Sequence, residues 1–280
     1  MNEIRLPDAL IELDFVGNAT GLDRNDVRAW IVAAADAVRT YYGRYPVRKL
    51  RIRIEATEGH GAQSGTTFSY NGALIRVGVG RYSDNADLKR DWVMTHEMVH
   101  LTMPEFSDDH AWLEEGIATY VEPIARVQAG QLTDSQIWHD MIRDMPKGLP
   151  AAGDRGLDNT HTWGRTYWGG ALYYLIADVR IRERTGNRFG LQDGLRAVVA
   201  QGGSVEVAWD VRRTLTIADK ATGTNVLTEL YDEMRAAPVT PDLAQLWKRL
   251  GVKLTPEGAD FDDDAPLAAV RKAITAVHAG

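Results

Sequence analysis

The chain has 280 residues, 44% of them hydrophobic, a formal charge of −7 and no cysteine. That length can bury one large core or two lobes around a cleft, and the lack of cysteine excludes disulfides, zinc ribbons and thiol nucleophiles. The negative charge is spread along the chain with no concentrated basic face, which argues against a nucleic-acid backbone or an anionic membrane as partner.

In chain order, IELDF reads as a strand, and Asp23 as the N-cap of a helix carrying Val27, Trp30, Ile31, Ala34 and Val38 on one face. KLRIRIEA follows as a second strand, in which Lys49, Arg51 and Arg53 alternate with Leu50, Ile52 and Ile54. That period of two predicts one wet and one buried face. TTFSYNGALIRVGVG places Asn-Gly between two β-rich runs, the signal of a hairpin. After about residue 82 the signals become helical, with loops predicted at PEFSDDH, DMPKGLPAAGDRGLDNTH, AQGGS, AAPVTPD and TPEGADFDDDAP. The acidic run Asp260 to Asp264 lacks the alternation and central Gly of a calcium loop and reads as a solvated cap to the last helix. No apolar run approaches the roughly 18 residues of a membrane span, and no charged-then-apolar leader opens the chain.

The chemistry concentrates in HEMVH, His96 to His100, and WLEEGIATYVE, Trp112 to Glu122. Residues four apart share a helix face, so His96 and His100 can hold one metal ion with Glu97 beside it. HExxH arises by accident in roughly one of a hundred such sequences, so the second segment carries weight. There Glu115, Thr119, Glu122 and Arg126 form a polar helical stripe beside the apolar stripe Leu113, Ile117, Tyr120 and Ile124. A catalytic zinc ion needs a third protein ligand, leaving the fourth position for water. Glu115 is the expected ligand, with Glu114, His110, Asp108 and Asp109 as alternatives. Gly116 would let two helices approach closely there.

These segments resemble the gluzincin metallopeptidases of the thermolysin-like clan, most closely the aminopeptidase N and glycyl aminopeptidase branches, whose second motif runs W-L-x-E-G-x-A-x-Y-x-E. Trp112, Leu113, Glu115, Gly116, Ala118, Tyr120 and Glu122 match it. The resemblance implies Glu115 as the third zinc ligand, and Tyr167, in RTYWGGALYYLIADVRIRERTGNRFG, as the active-site tyrosine of a Y-x-x-G-A setting. It extends in patches over about residues 60 to 253 and implies an α+β, zincin-like catalytic domain. On this reading a small mixed α/β N-terminal lobe, 1–103, ends in the zinc-binding helix, and a mostly helical C-terminal lobe, 104–280, carries the third ligand and the tyrosine. Relatives of this kind are often exported, so an envelope location with the leader left out is expected over the cytosol.

Two departures matter. The spacing from His100 to Glu115 is shorter than in aminopeptidase N. The G-x-M-E-N segment, whose Glu grips a free amino terminus in those relatives, has no acidic counterpart in HGAQSGTTFSYNGALIRVGVG. Zinc (Zn2+) would lower the pKa of its water to about 7, Glu97 would take the proton, and the Tyr167 hydroxyl would donate to the oxyanion. His161 is a second candidate donor, and Glu122 a candidate acceptor for a zinc-bound imidazole. Trp163, Trp168 and Tyr70 could line the cleft, although core packing is the ordinary role for each. The expected partner is a peptide or protein substrate, bound as an added strand on ALIRVGVG, Ala73 to Gly80. The alternatives are hydrolysis of a non-peptide amide or ester, or a catalytically silent binding protein of the same fold.

Overall fold

A computed structural model describes residues 2–17 and 21–277 of the chain. Five strands form one sheet in the order β1-β2-β3-β5-β4, where β1 is Glu3–Arg5, β2 Leu10–Val16, β3 Lys49–Thr57, β4 Ala62–Ser69 and β5 Ala73–Gly80. β2, β3 and β5 run parallel, and β1 and β4 are the antiparallel edges. Register fixes the two faces. Ile11 pairs with Leu50 and Leu50 with Ala73, while Leu13, Ile52 and Ile75 make the next row. All are buried. The opposite face carries Glu12, Asp14, Arg51 and Arg53, with Lys49 bonded to Glu12 at 2.8 Å, so the alternating arginines are a solvated sheet face as expected.

The crossover from β2 to β3 is α1, Arg24–Tyr42, whose N-cap Asp23 accepts from the Asn25 and Asp26 amides and whose five predicted apolar positions are buried. Asn71 and Gly72, both at positive φ (51° and 98°), turn β4 into β5, as an Asn-Gly hairpin requires. One expectation fails here. β5, the ALIRVGVG strand, is paired on both sides and can accept no further strand; β4 is the free edge. Near-continuous apolar character belongs to interior parallel strands, and polar AQSGTTFS to an edge.

Past the sheet come α2 (Asn85–Arg90), α3 (Val93–His100), α4 (Ala111–Gln128) and α5 (Asp134–Asp144). A single π-turn, Arg165–Gly169, then opens into α6 (Gly170–Thr185). α7 (Leu191–Ala200), α8 (Val211–Thr222), α9 (Val226–Met234) and α10 (Leu243–Leu250) follow. The hairpin β6 (Val252–Thr255) and β7 (Gly258–Phe261) occupies a stretch expected to be loop. The last helix is α11, Ala268–Thr275. The acidic run is divided between β7 and the lead-in to α11, where Asp263 pairs with Arg271 and Lys272. One apolar cluster runs from Ile4 through both the sheet and the helices to Ile274.

α4 and α6 cross at glycines. A Cβ on Gly116 would sit 2.4 Å from the Gly170 backbone, and one on Gly170 would sit 2.0 Å from the Trp112 carbonyl. No real Cβ tolerates such contacts, so Gly116→Ala must push α4 off α6. An overpacked core of this kind costs about 1–3 kcal/mol. The expected readout is a clear fall in thermal midpoint; an unchanged midpoint would mean the crossing is looser than drawn.

Candidate metal centre

α3 starts where Asp91 bridges two elements: its carboxylate accepts from the Ala62 amide at the head of β4 (3.0 Å) and from the Val93 amide at the head of α3 (2.8 Å). The edge strand is thereby fixed against the HEMVH helix. On α3, His96 and His100 face the same way, and Glu115 reaches across from the first turns of α4. Glu115 Oε2 lies 3.2 Å from His96 Nε2 and 3.5 Å from His100 Nε2. One ligand atom from each residue falls within 4.8 Å of the others, the arrangement of a group that could hold a metal ion. Tetrahedral coordination at about 2.0–2.1 Å puts ligand atoms roughly 3.3–3.4 Å apart, a separation that the two distances from Glu115 to the imidazoles bracket.

Burial depresses the His96 imidazole, whereas at His100 the hydrogen bond and charge of Glu115 outweigh burial and raise it. Burial works against ionisation of Glu115 too, but the two imidazoles hold its carboxyl far below the usual range. The site therefore keeps a carboxylate ready between two rings.

Glu97 is buried beside the two rings. Gly65 and Thr67 lie on the inner face of β4, one pairing with Val77 and the other with Ile75. The Thr67 hydroxyl is 2.7 Å from Glu97 Oε2 and 2.8 Å from the Glu97 carbonyl, and its one proton can serve either. A Cβ on Gly65 would meet the Glu97 carboxyl at 2.6 Å, so only glycine leaves that carboxyl its place. Nothing in the sequence marked Gly65 or Thr67, because their role depends on β4 being the edge.

Tyr167 stands at the π-turn with its ring stacked on His96, centroids 6.3 Å apart. Burial, then the Glu115 carboxylate, push its hydroxyl up to about 12, so it stays protonated at neutral pH. The turn is pinned from below: Arg165, buried, pairs with buried Asp154 at 2.7 Å and also donates to the Gly148 carbonyl. π-turns recur at functional sites. This latch between the Pro/Gly-rich loop and α6 was invisible in the sequence.

The other candidates lie outside the converging group of His96, His100 and Glu115. The Glu114 carboxylate accepts from the Phe106 amide at 2.9 Å. His110 pairs with Asp158 at 3.2 Å, on a short 3-10 turn, Asp108–His110, that carries Asp108 and Asp109 outside the converging group. Glu122 is buried and bonded to Arg126 at 2.9 Å rather than to a histidine ring, with burial pushing its carboxyl up to about 7. His161 is exposed and lines neither the cleft at the centre nor the cavity beyond Tyr167. Tyr70 is exposed at the tip of the β4–β5 turn, whereas Trp163 and Trp168 line a cavity beyond Tyr167.

The centre opens into a cleft of about 560 Å³ whose wall is the whole length of β4, with His96, Glu97, His100, Glu115 and Tyr167 opposite. Among the described residues no helix is long and apolar enough to cross a membrane.

No family model matches the sequence, and no curated protein matches it. Its fold is that of zinc metallopeptidases. An aminopeptidase N family protein from Idiomarina loihiensis superposes with a TM-score of 0.65 at 12% identity, over 89% of this chain and 49% of that one. The M1 zinc metallopeptidase of Deinococcus radiodurans gives 0.52 at 16%, over 85% and 52%. Yeast LTA4 hydrolase gives 0.52 at 13%, over 89% and 43%. A mutant of the Deinococcus enzyme is described as bound to a Tyr-Ser-Ala substrate. The chain spans about half the length of these structures, and at such identities the likeness is one of fold.

Proposed function

We propose that the chain is a zinc-dependent metallopeptidase that hydrolyses peptide bonds. The observation that carries this reading is the convergence of His96, His100 and Glu115 at zinc spacing, with Glu97 buried beside them, in a cleft walled by a free strand edge. The fold shared with M1 zinc metallopeptidases supports it.

Zinc held by His96, His100 and Glu115 would supply a Lewis acid and a water with its pKa lowered to about 7. Glu97, aimed by Thr67 and Gly65, takes the proton from the attacking water and passes it to the leaving amine. Tyr167, protonated, donates its hydroxyl hydrogen to the carbonyl oxygen as negative charge develops there. β4 binds the substrate main chain with backbone N–H and C=O groups that no other strand uses, which orients the scissile bond without reading side chains. That strand edge favours a peptide over other amides and esters as substrate. It also takes over the role expected of β5.

β4 offers no carboxylate: its eight residues are AQSGTTFS. A substrate ammonium therefore has no acidic anchor on the strand, and cleavage is expected to survive acetylation of the peptide's amino terminus. A matched pair of free and acetylated peptides checks this, and turnover of the free one alone would mean exopeptidase action with an anchor elsewhere.

A further inference from the structure

We propose that Asp91 is a positioning residue of the site: its carboxylate holds β4 in place against the histidine helix α3, so that the strand offers a peptide a preformed edge. The inference rests on the peptidase reading. Each carboxylate oxygen serves one wall of the cleft. Oδ2 accepts from the Ala62 amide at the head of β4, and Oδ1 from the Val93 amide at the head of α3. Holding both amides at once takes two separate acceptor atoms on one short side chain, which a carboxylate has and an amide side chain lacks.

The course of β4 is decided at its head. The strand is an edge, paired with β5 on one side alone, and its register slips between Ala62 and Ser64. A bulge of this kind bends a strand and re-aims the residues that follow, so the line β4 takes along the cleft starts from where Ala62 is held. Farther along, the Thr67 hydroxyl reaches Glu97 with a single proton for two acceptors. The turn that carries Asp91 is tied to α4 as well, because buried Arg126 donates to the Lys89 carbonyl at 3.0 Å. Substrate strand, histidine helix and the helix of Glu115 are thus joined at one short segment just ahead of His96.

The separation matters because the strand places the substrate. A peptide paired with β4 lies about 4.8 Å from it, so its carbonyl meets the metal centre only when β4 stands at the right distance from α3. An error of about 1 Å in such a placement can cost about 10²-fold in rate. A strand held there in advance spares the peptide the cost of ordering it. Once the hold is lost, that cost falls on binding, so KM rises while the chemistry within the bound complex is unchanged.

The experiment removes the hold from either side and reads N-acetylated hexaalanine. Asp91→Asn keeps one acceptor, enough for the Val93 amide, where Asn serves a helix start as well as Asp does. Ala62→Pro removes the donor instead, at the first residue of a strand, where proline is tolerated. Each is expected to raise KM about 10-fold, the worth of one hydrogen bond to a charged group, with kcat within about threefold of the parent and zinc content unchanged. Because both act on one bond, the double variant should stay within about twofold of the worse single. KM within about twofold of the parent in both singles overturns the positioning role and leaves the peptidase. A fall in kcat at the parent KM means a merely structural role and overturns it too, as does a double variant whose effect is the product of the singles. Should Ala62→Pro fail to fold, the Asp91→Asn constants decide alone. Binding of the same peptide to Glu97→Gln, by calorimetry, with and without Asp91→Asn, separates the two readings. Absence of cleavage by the parent, with binding still weakened about 10-fold by Asp91→Asn, upholds the positioning of β4 and overturns the peptidase. Absence of both cleavage and binding overturns both.

Discussion

Glu97→Gln is expected to keep its zinc and its fold while losing roughly 10² to 10⁴ in kcat. Glutamine has nearly the shape of glutamate, so the space left by Gly65 still accommodates it, and Thr67 can still bond to its amide oxygen. What disappears is the ability to accept a proton from water. The residues that would hold the metal are untouched, because Glu97 lies outside the group formed by His96, His100 and Glu115. Zinc content by mass spectrometry and kcat on one blocked peptide decide the matter. A variant with parent activity would remove Glu97 as the base.

Tyr167→Phe should lower kcat by about 10² to 10³, with little change in KM or zinc content. In the proposed mechanism the hydroxyl acts on charge that develops during the reaction, so its loss would fall on the transition state rather than on the bound substrate. Phenylalanine fills nearly the same volume and keeps the stacking on His96 and Trp163, so the π-turn loses no packing. Tyr167→Phe within a few-fold of the parent, with zinc bound and melting unchanged, would mean that the oxyanion is stabilised by another donor. His161, exposed and away from both cavities, is poorly placed to be that donor.

The two segments that converge on the candidate metal centre were legible because each is a local helical pattern: four-residue spacing in HEMVH, and in WLEEGIATYVE an apolar stripe whose Leu113, Ile117, Tyr120 and Ile124 are all fully buried. The Asp23 cap and the Asn-Gly turn were legible for the same reason, since each rests on neighbours in sequence. Strand order is different. Whether β4 or β5 is the edge depends on β5 pairing with β3, about twenty residues away, and no local period of two reports that. Glu122 was placed correctly on its stripe, yet its partner was settled by Arg126 one turn on. The Arg165–Asp154 latch and the cavity behind Tyr167 arise from a loop with no periodicity folding back on itself. The Gly116–Gly170 crossing was half visible: Gly116 was marked, but its counterpart stood unread in the Gly-Gly step that opens α6.

The most direct test is zinc content across a short set of variants, measured by mass spectrometry on protein purified without chelator. About one zinc per chain is expected for the parent and for Glu114→Ala, whose carboxylate serves the Phe106 amide, and close to none for His96→Ala, His100→Ala and Glu115→Ala. A parent chain that takes up no zinc even at excess metal, or a Glu115→Ala variant that keeps it while Glu114→Ala loses it, would contradict the centre described here.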